Sequence, residues 1–112
     1  MRSKIAVLVG AALACAVGSA AAQTAVDAEG AEALMKKSGC FKCHSVSAKK
    51  DGPSYKSVAE KYKGKPDAEA KLYTHLTTNP KVKVDGKEES HESLKTKNDA
   101  DIKNVVQFVL SR

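Results

Sequence analysis

"SGCFKCHSVS", Ser38 to Ser47, sets two cysteines two residues apart with a histidine directly after the second. Three chemistries use such a run: half of a zinc site, a redox-active dithiol, or the covalent attachment point of a prosthetic group. Which of them is open depends on the compartment, and therefore on what precedes the motif.

The chain opens MRSKIAVLVGAALACAVGSAAAQTA. Arg2 and Lys4 give a basic start, an uncharged and largely apolar run follows from Ile5 to Val17, and small residues close the segment, the three parts of a secretory signal peptide. The run is short for a bilayer span, so a retained anchor helix is the weaker reading. Ala20-Ala21-Ala22 offers the small-x-small pattern a signal peptidase needs, and cleavage is expected after Ala22. Lipidation of Cys15 would ordinarily want a leucine three residues earlier, where Ala12 stands, so Cys15 is expected to leave with residues 1–22.

Residues 23–112 then form one small exported domain, destined for the periplasm and not inserted in the membrane after cleavage. Losing Arg2 and Lys4 takes the formal charge from +6 to +4. The aromatic residues are Phe41, Tyr55, Tyr62, Tyr73 and Phe108, with no tryptophan. A core this thin wants a staple or a cofactor. A disulfide between Cys40 and Cys43 would close too small a loop to restrain the unfolded chain. A thioredoxin-like dithiol follows a strand, and none is legible before Gly39. Structural zinc wants a second close ligand pair, whereas His75 and His91 stand far apart with no partner pair beside either. The remaining reading is C-x-x-C-H, the attachment motif of c-type haem. The thiols of Cys40 and Cys43 would add to the two vinyl groups, and His44 would fall under the iron as its proximal ligand.

The rest of the chain reads as helices around that group. Asp27 is an N-cap for "AEGAEALMKKSG", with apolar Ala28, Ala31, Leu34 and Met35 in helical spacing and Gly39 as the stop. "SAKKDGPSY" is a loop by its Gly-Pro pair, and "PSYKSVAEKYKG" a short helix between Pro53 and Gly64. Pro66 and Asp67 open a third helix carrying Ala68, Leu72 and Leu76, closed by Asn79-Pro80. A fourth starts at Asn98 or Asp99 and lines up Ile102, Val105, Val106, Val109 and Leu110. No convincing strand is legible, so an all-α domain is expected. The segment from Pro80 to Lys97 is polar and aperiodic, a length of loop that is usually functional or disordered.

The helix running into "CFKCH", then "GPSYKSVAEKYKG", "DAEAKLYTHL" and the C-terminal "VVQFVL" together resemble the class I c-type cytochromes, in particular their small bacterial monohaem members. The resemblance covers nearly all of residues 23–112. It implies a small cytochrome c fold, four helices around one covalent haem c, with the first and last helices crossing near Leu34 and Phe108. It also implies that the backbone carbonyl of Pro53 accepts a hydrogen bond from the proximal histidine, and that His75 lies where the family often directs a polar side chain toward a haem propionate.

The family's distal ligand is ordinarily a methionine in the loop before the last helix, and here the sequence departs. Beyond residue 22 the chain has Met35 alone, on the first helix and on the wrong side of the motif, where a core filler is expected. The loop instead reads "DGKEESHESLK", with His91 close to the vacant position. Distal ligation by His91 is therefore expected, against the plain reading of a solvated histidine among Glu88, Glu89 and Glu92; the competing ligands are His75 and a lysine nitrogen such as that of Lys87 or Lys95. The resemblance implies a one-electron carrier that works as a monomer with redox partner proteins. The alternative is a five-coordinate haem protein that binds or senses a diatomic gas. No catalytic triad or carboxylate pair is legible, so no enzyme is expected, and no nucleic-acid partner is expected for an exported haem protein. Nine lysines between Lys36 and Lys65 read either as an ordinary solvated surface or as a positive ring that steers an acidic redox partner; both stay open.

Overall fold

The computed structural model describes residues 25–112; the expected signal segment, residues 1–22, lies outside the described residues. Four helices appear where the apolar spacing places them: α1 (Ala28–Lys37), α2 (Tyr55–Tyr62), α3 (Ala68–Thr77) and α4 (Asp99–Leu110), with a 3₁₀ turn at Cys40–Lys42 between the first two. Three of the four starts are capped by a side chain, while Asp67 makes no such bond at the start of α3. Asp27 accepts from the Gly30 amide at 3.0 Å, Ser54 from Ser57 at 3.1 Å, and Asn98 from Asp101 at 3.2 Å, each giving an acceptor to an otherwise unpaired first-turn N–H. α1 ends at Gly39, whose φ of 77° is the left-handed setting that turns the chain into the cysteine motif.

α4 is the hub, packing against α1, α2 and α3. Ile102, Val105, Val106, Phe108 and Val109 are buried on it, with Phe108 wholly inaccessible. Ala31 and Met35 of α1, Tyr55 of α2 and Leu72 of α3 complete the core, and Leu34 packs at its margin. Met35 is thus a core filler, 1% exposed. The crossing of α1 and α4 is further tied by a reciprocal amide clamp: the Asp27 N–H donates to Asn104 Oδ1 at 2.9 Å, and Asn104 Nδ2 donates back to the Asp27 carbonyl at 2.8 Å.

One expectation is corrected. The segment after Pro80 is not strandless: β1 (Lys81–Val84) and β2 (Lys87–Ser90) form an antiparallel hairpin, with Lys81 opposite Ser90 and Val84 opposite Lys87. Asp85 and Gly86 turn it, at φ 50° and 77°, the two positive values of a type I′ turn. The physical reason was in the residues, since Lys-Val-Lys-Val alternates with period two and Asp-Gly is a hairpin signal. The hairpin is an excursion from an otherwise helical fold, and it delivers the chain to His91.

Candidate haem site

The attachment motif is one tight turn. The Lys42 amide bonds to the Gly39 carbonyl at 3.2 Å, and the amides of Cys43 and His44 both return to Cys40 at 3.3 and 3.0 Å. This winds Cys40, Cys43 and His44 around the mouth of one cavity. Cys40 is half-buried and its thiol pKa is raised, chiefly by that burial.

Beyond His44 the loop is folded back on itself: Gly52 donates to the Cys43 carbonyl at 2.7 Å, Tyr55 to Ser45 at 3.0 Å, and Lys56 to Val46 at 3.0 Å. That return carries the Pro53 carbonyl to 2.7 Å from His44 Nδ1. With Nδ1 as donor, Nε2 is left with its lone pair free, the tautomer a metal ligand needs. The Tyr55 ring stacks on the imidazole at 5.1 Å and 25°, and Phe41 meets Tyr55 edge-on at 6.1 Å.

Across the cavity stands His91, its ring centre 6.0 Å from that of His44. Its backbone closes the base of the hairpin, donating to the Pro80 carbonyl at 2.8 Å and accepting from Asn79 Nδ2 at 2.9 Å. Asn79 takes φ 49° to make that bond. Two further bonds hold the chain beyond His91: Leu94 N–H to the Leu76 carbonyl at 3.0 Å, and Lys95 N–H to the buried Ser38 Oγ at 2.9 Å. His75, in the last turn of α3, packs beside His91 with ring centres 4.2 Å apart. Burial foremost, and then the charge of neighbouring histidines, lowers the pKa of both rings. His91 Nδ1 is buried without a hydrogen-bond partner.

All five residues singled out in the sequence, Cys40, Cys43, His44, Pro53 and His91, therefore border one space. That space is a cavity of about 750 Å³, with Met35, Leu72, Val105 and Val109 among its apolar lining. Four features carried no such signal in the sequence: the Gly52 contact with His44, the Tyr55 stack, and the Asn79 and Ser38 bonds that hold the distal segment. The last of these joins residues 57 apart, beyond the reach of any local pattern.

The family model of cytochrome c matches residues 28–112. The chain belongs to the cytochrome c family. Its solved relatives include the class 1 cytochrome MtoD of Sideroxydans lithotrophicus ES-1, 53% identical, with a TM-score of 0.74 over 78% of this chain and 97% of that one. Cytochrome c2 of Rubrivivax gelatinosus is 37% identical over 69% of this chain and 91% of its own length. Cytochrome c-551 of Pseudomonas aeruginosa is 49% identical over a shorter stretch, 40% of this chain and 43% of that protein. The four-helix arrangement is the cytochrome c fold, and the cofactor of this cytochrome is covalently attached haem c, with Cys40 and Cys43 as the attachment pair. The residues present fit that group: a cavity in the size range of cofactor sites, apolar walls, two cysteines at its mouth and an unpartnered buried imidazole nitrogen inside.

Proposed function

We propose that this cytochrome c is a periplasmic one-electron carrier whose haem iron is held by His44 on the proximal side and His91 on the distal side. The observation that carries the reading is the 6.0 Å between the two ring centres. Two metal–imidazole bonds of about 2 Å each, with the depth of each ring added, span roughly 6 Å. No methionine is available for the distal side in this segment, and imidazole is a good iron ligand.

The haem supplies the reversible ferric–ferrous couple, and the polypeptide decides how it behaves. Pro53 holds the His44 tautomer and strengthens the imidazole as a donor. His91, delivered by the hairpin base, would keep both oxidation states six-coordinate, so that an electron enters or leaves with little rearrangement. Replacing a thioether by an imidazole favours the ferric state and lowers the potential relative to His/Met cytochromes. The expected export signal in residues 1–22 supports the periplasmic placement, and among the described residues no helix is long and apolar enough to cross a membrane.

Partner choice follows from the cavity rim. Lys36, Lys37, Lys42, Lys61, Lys83 and Lys95 are exposed around it, against Asp51, Glu89 and Glu92. None of these lysines takes part in the ion pairs Lys71–Asp67 and Lys103–Asp99. An excess of free positive charge at the exposed haem edge suits a short-lived encounter with an acidic redox protein, met by a monomer, and its association rate should fall steeply with salt.

The test is His91→Ala in the holoprotein. It should turn a low-spin haem high-spin and open it to carbon monoxide, while His75→Ala leaves the spin state unchanged. Wild-type reduced protein that already binds carbon monoxide readily, unaltered by His91→Ala, would replace the carrier by the five-coordinate gas-binding protein.

A further inference from the structure

The loop between the attachment motif and α2 does more than bring a carbonyl to His44. A Cβ built on Gly52 would lie 2.5 Å from His44 Cε1, 2.8 Å from Nδ1 and 3.0 Å from Nε2. Near-equal distances to three consecutive ring atoms place it above the plane of the imidazole, because an in-plane approach to Cε1 would leave both nitrogens much further away. Gly52 therefore lies against the face of the ring, and any side chain there would press on it. The glycine is not free to retreat: its N–H is bonded to Cys43 at 2.7 Å, and its carbonyl accepts from Lys50 at 3.2 Å.

Tyr55 supplies a second constraint on the same ring. It stacks nearly parallel to the imidazole, is 6% exposed, and is braced by the Phe41 edge. The Pro53 carbonyl adds a third, fixing the direction of the Nδ1–H bond. A ring held at one nitrogen could still swivel; one held at a nitrogen and against two packed neighbours cannot.

We propose that Gly52 and Tyr55 are positioning residues that set the plane of the proximal imidazole relative to the haem, with the Pro53 bond setting its tautomer. The proposal rests on the reading of His44 as an iron ligand. It assigns two neighbouring jobs to one short loop: the carbonyl governs how strongly the ring donates, and the two packed residues govern which way it faces. In a low-spin ferric haem the direction of the imidazole plane orders the iron orbitals, and hence the pattern of the haem-methyl proton resonances, without changing the ligand itself.

Proton NMR of ferric holoprotein tests this with the variants Gly52→Ala, Tyr55→Leu and Tyr55→Phe. Hyperfine-shifted ring protons of His44 in the wild type establish that His44 is bound. Gly52→Ala should then reorder or compress the four haem-methyl shifts, and Tyr55→Leu should narrow their spread as the ring samples more than one setting. Tyr55→Phe keeps the stack and should retain the wild-type pattern. If Gly52→Ala does not accumulate as folded holoprotein, the contrast between Tyr55→Leu and Tyr55→Phe decides alone. His44 shifted in the wild type, with Tyr55→Leu showing the wild-type methyl pattern, overturns the positioning role and leaves the ligand standing. Ring protons of His44 at ordinary positions in the wild type overturn both.

Discussion

The two walls of the haem cavity are built differently. On the proximal wall the groups that hold His44 come from a short span: the Cys40 turn, Gly52, Pro53 and Tyr55. On the distal wall His91 stands at the foot of a hairpin closed through Asn79 and Pro80, and the chain just beyond it is tied to more distant elements, Leu94 to Leu76 and Lys95 to Ser38, 57 residues away. Local contacts cost little chain entropy to make, and they survive partial opening of the fold; long-range ones form only when the whole domain closes. In the proposed ligation, His44 should therefore be the fixed point of the site and His91 its adjustable partner.

The largest effect should come from removing what both walls share. Cys40→Ala with Cys43→Ala leaves a polypeptide with few large apolar side chains around a 750 Å³ cavity, too little burial to offset the entropy of ordering. The variant should be molten or unfolded by circular dichroism and rapidly proteolysed. A cooperative melt like that of the holoprotein would show that neither wall depends on haem.

Next in size is a change of donor at the distal wall alone. His91→Met puts the family's usual thioether on the hairpin foot, and the midpoint potential should rise by at least about a tenth of the roughly 0.8 V that axial ligation commands. An unchanged potential would mean that residue 91 does not bear on the iron. The His44 hydrogen bond to Pro53 should survive the change, which slow exchange of the His44 Nδ1 proton reports separately.

That contrast also explains how much the residues disclosed on their own. Cys40, Cys43 and His44 were legible because their chemistry is written in adjacent or near-adjacent positions, Pro53 only through the family resemblance, and the four helices because period and caps are local. The hairpin was legible in principle from Lys81 to Gly86 but was masked by the acids and lysines around it. The positions of His75 against His91, and of Ser38 under Lys95, depend on how α1, α3 and the distal segment meet, and no sequence period records that.

A smaller effect follows from the Ser38 bond. Ser38→Ala removes the acceptor for the Lys95 amide at a site where Ser38 is 2% exposed, and should cost about 1–2 kcal/mol. Amide exchange should speed up at Lys95, with the Gly52 and Tyr55 amides little changed. Equal loss of protection on both sides would remove the distinction between a fixed and an adjustable wall.

The smallest effect lies outside both. Hydrogen bonds from Lys103 and Tyr73 hold the Asp99 carboxyl below its usual range. Its contribution is present above the unfolded-state value and fades as pH falls through the lowered one. Asp99→Asn should lower the melting temperature slightly near neutrality, the gap to wild type closing at the acid end of a pH series. A gap that widens in acid would reverse the sign of this linkage.

The central claim, two imidazoles on one iron, is met most directly by near-infrared magnetic circular dichroism of the ferric wild-type holoprotein, because the porphyrin-to-iron charge-transfer band shifts with the axial pair. The account predicts a single low-spin band at the position of bis-imidazole haem, with no methionine signature. A band at the position of imidazole–amine ligation, or a high-spin spectrum, would contradict it.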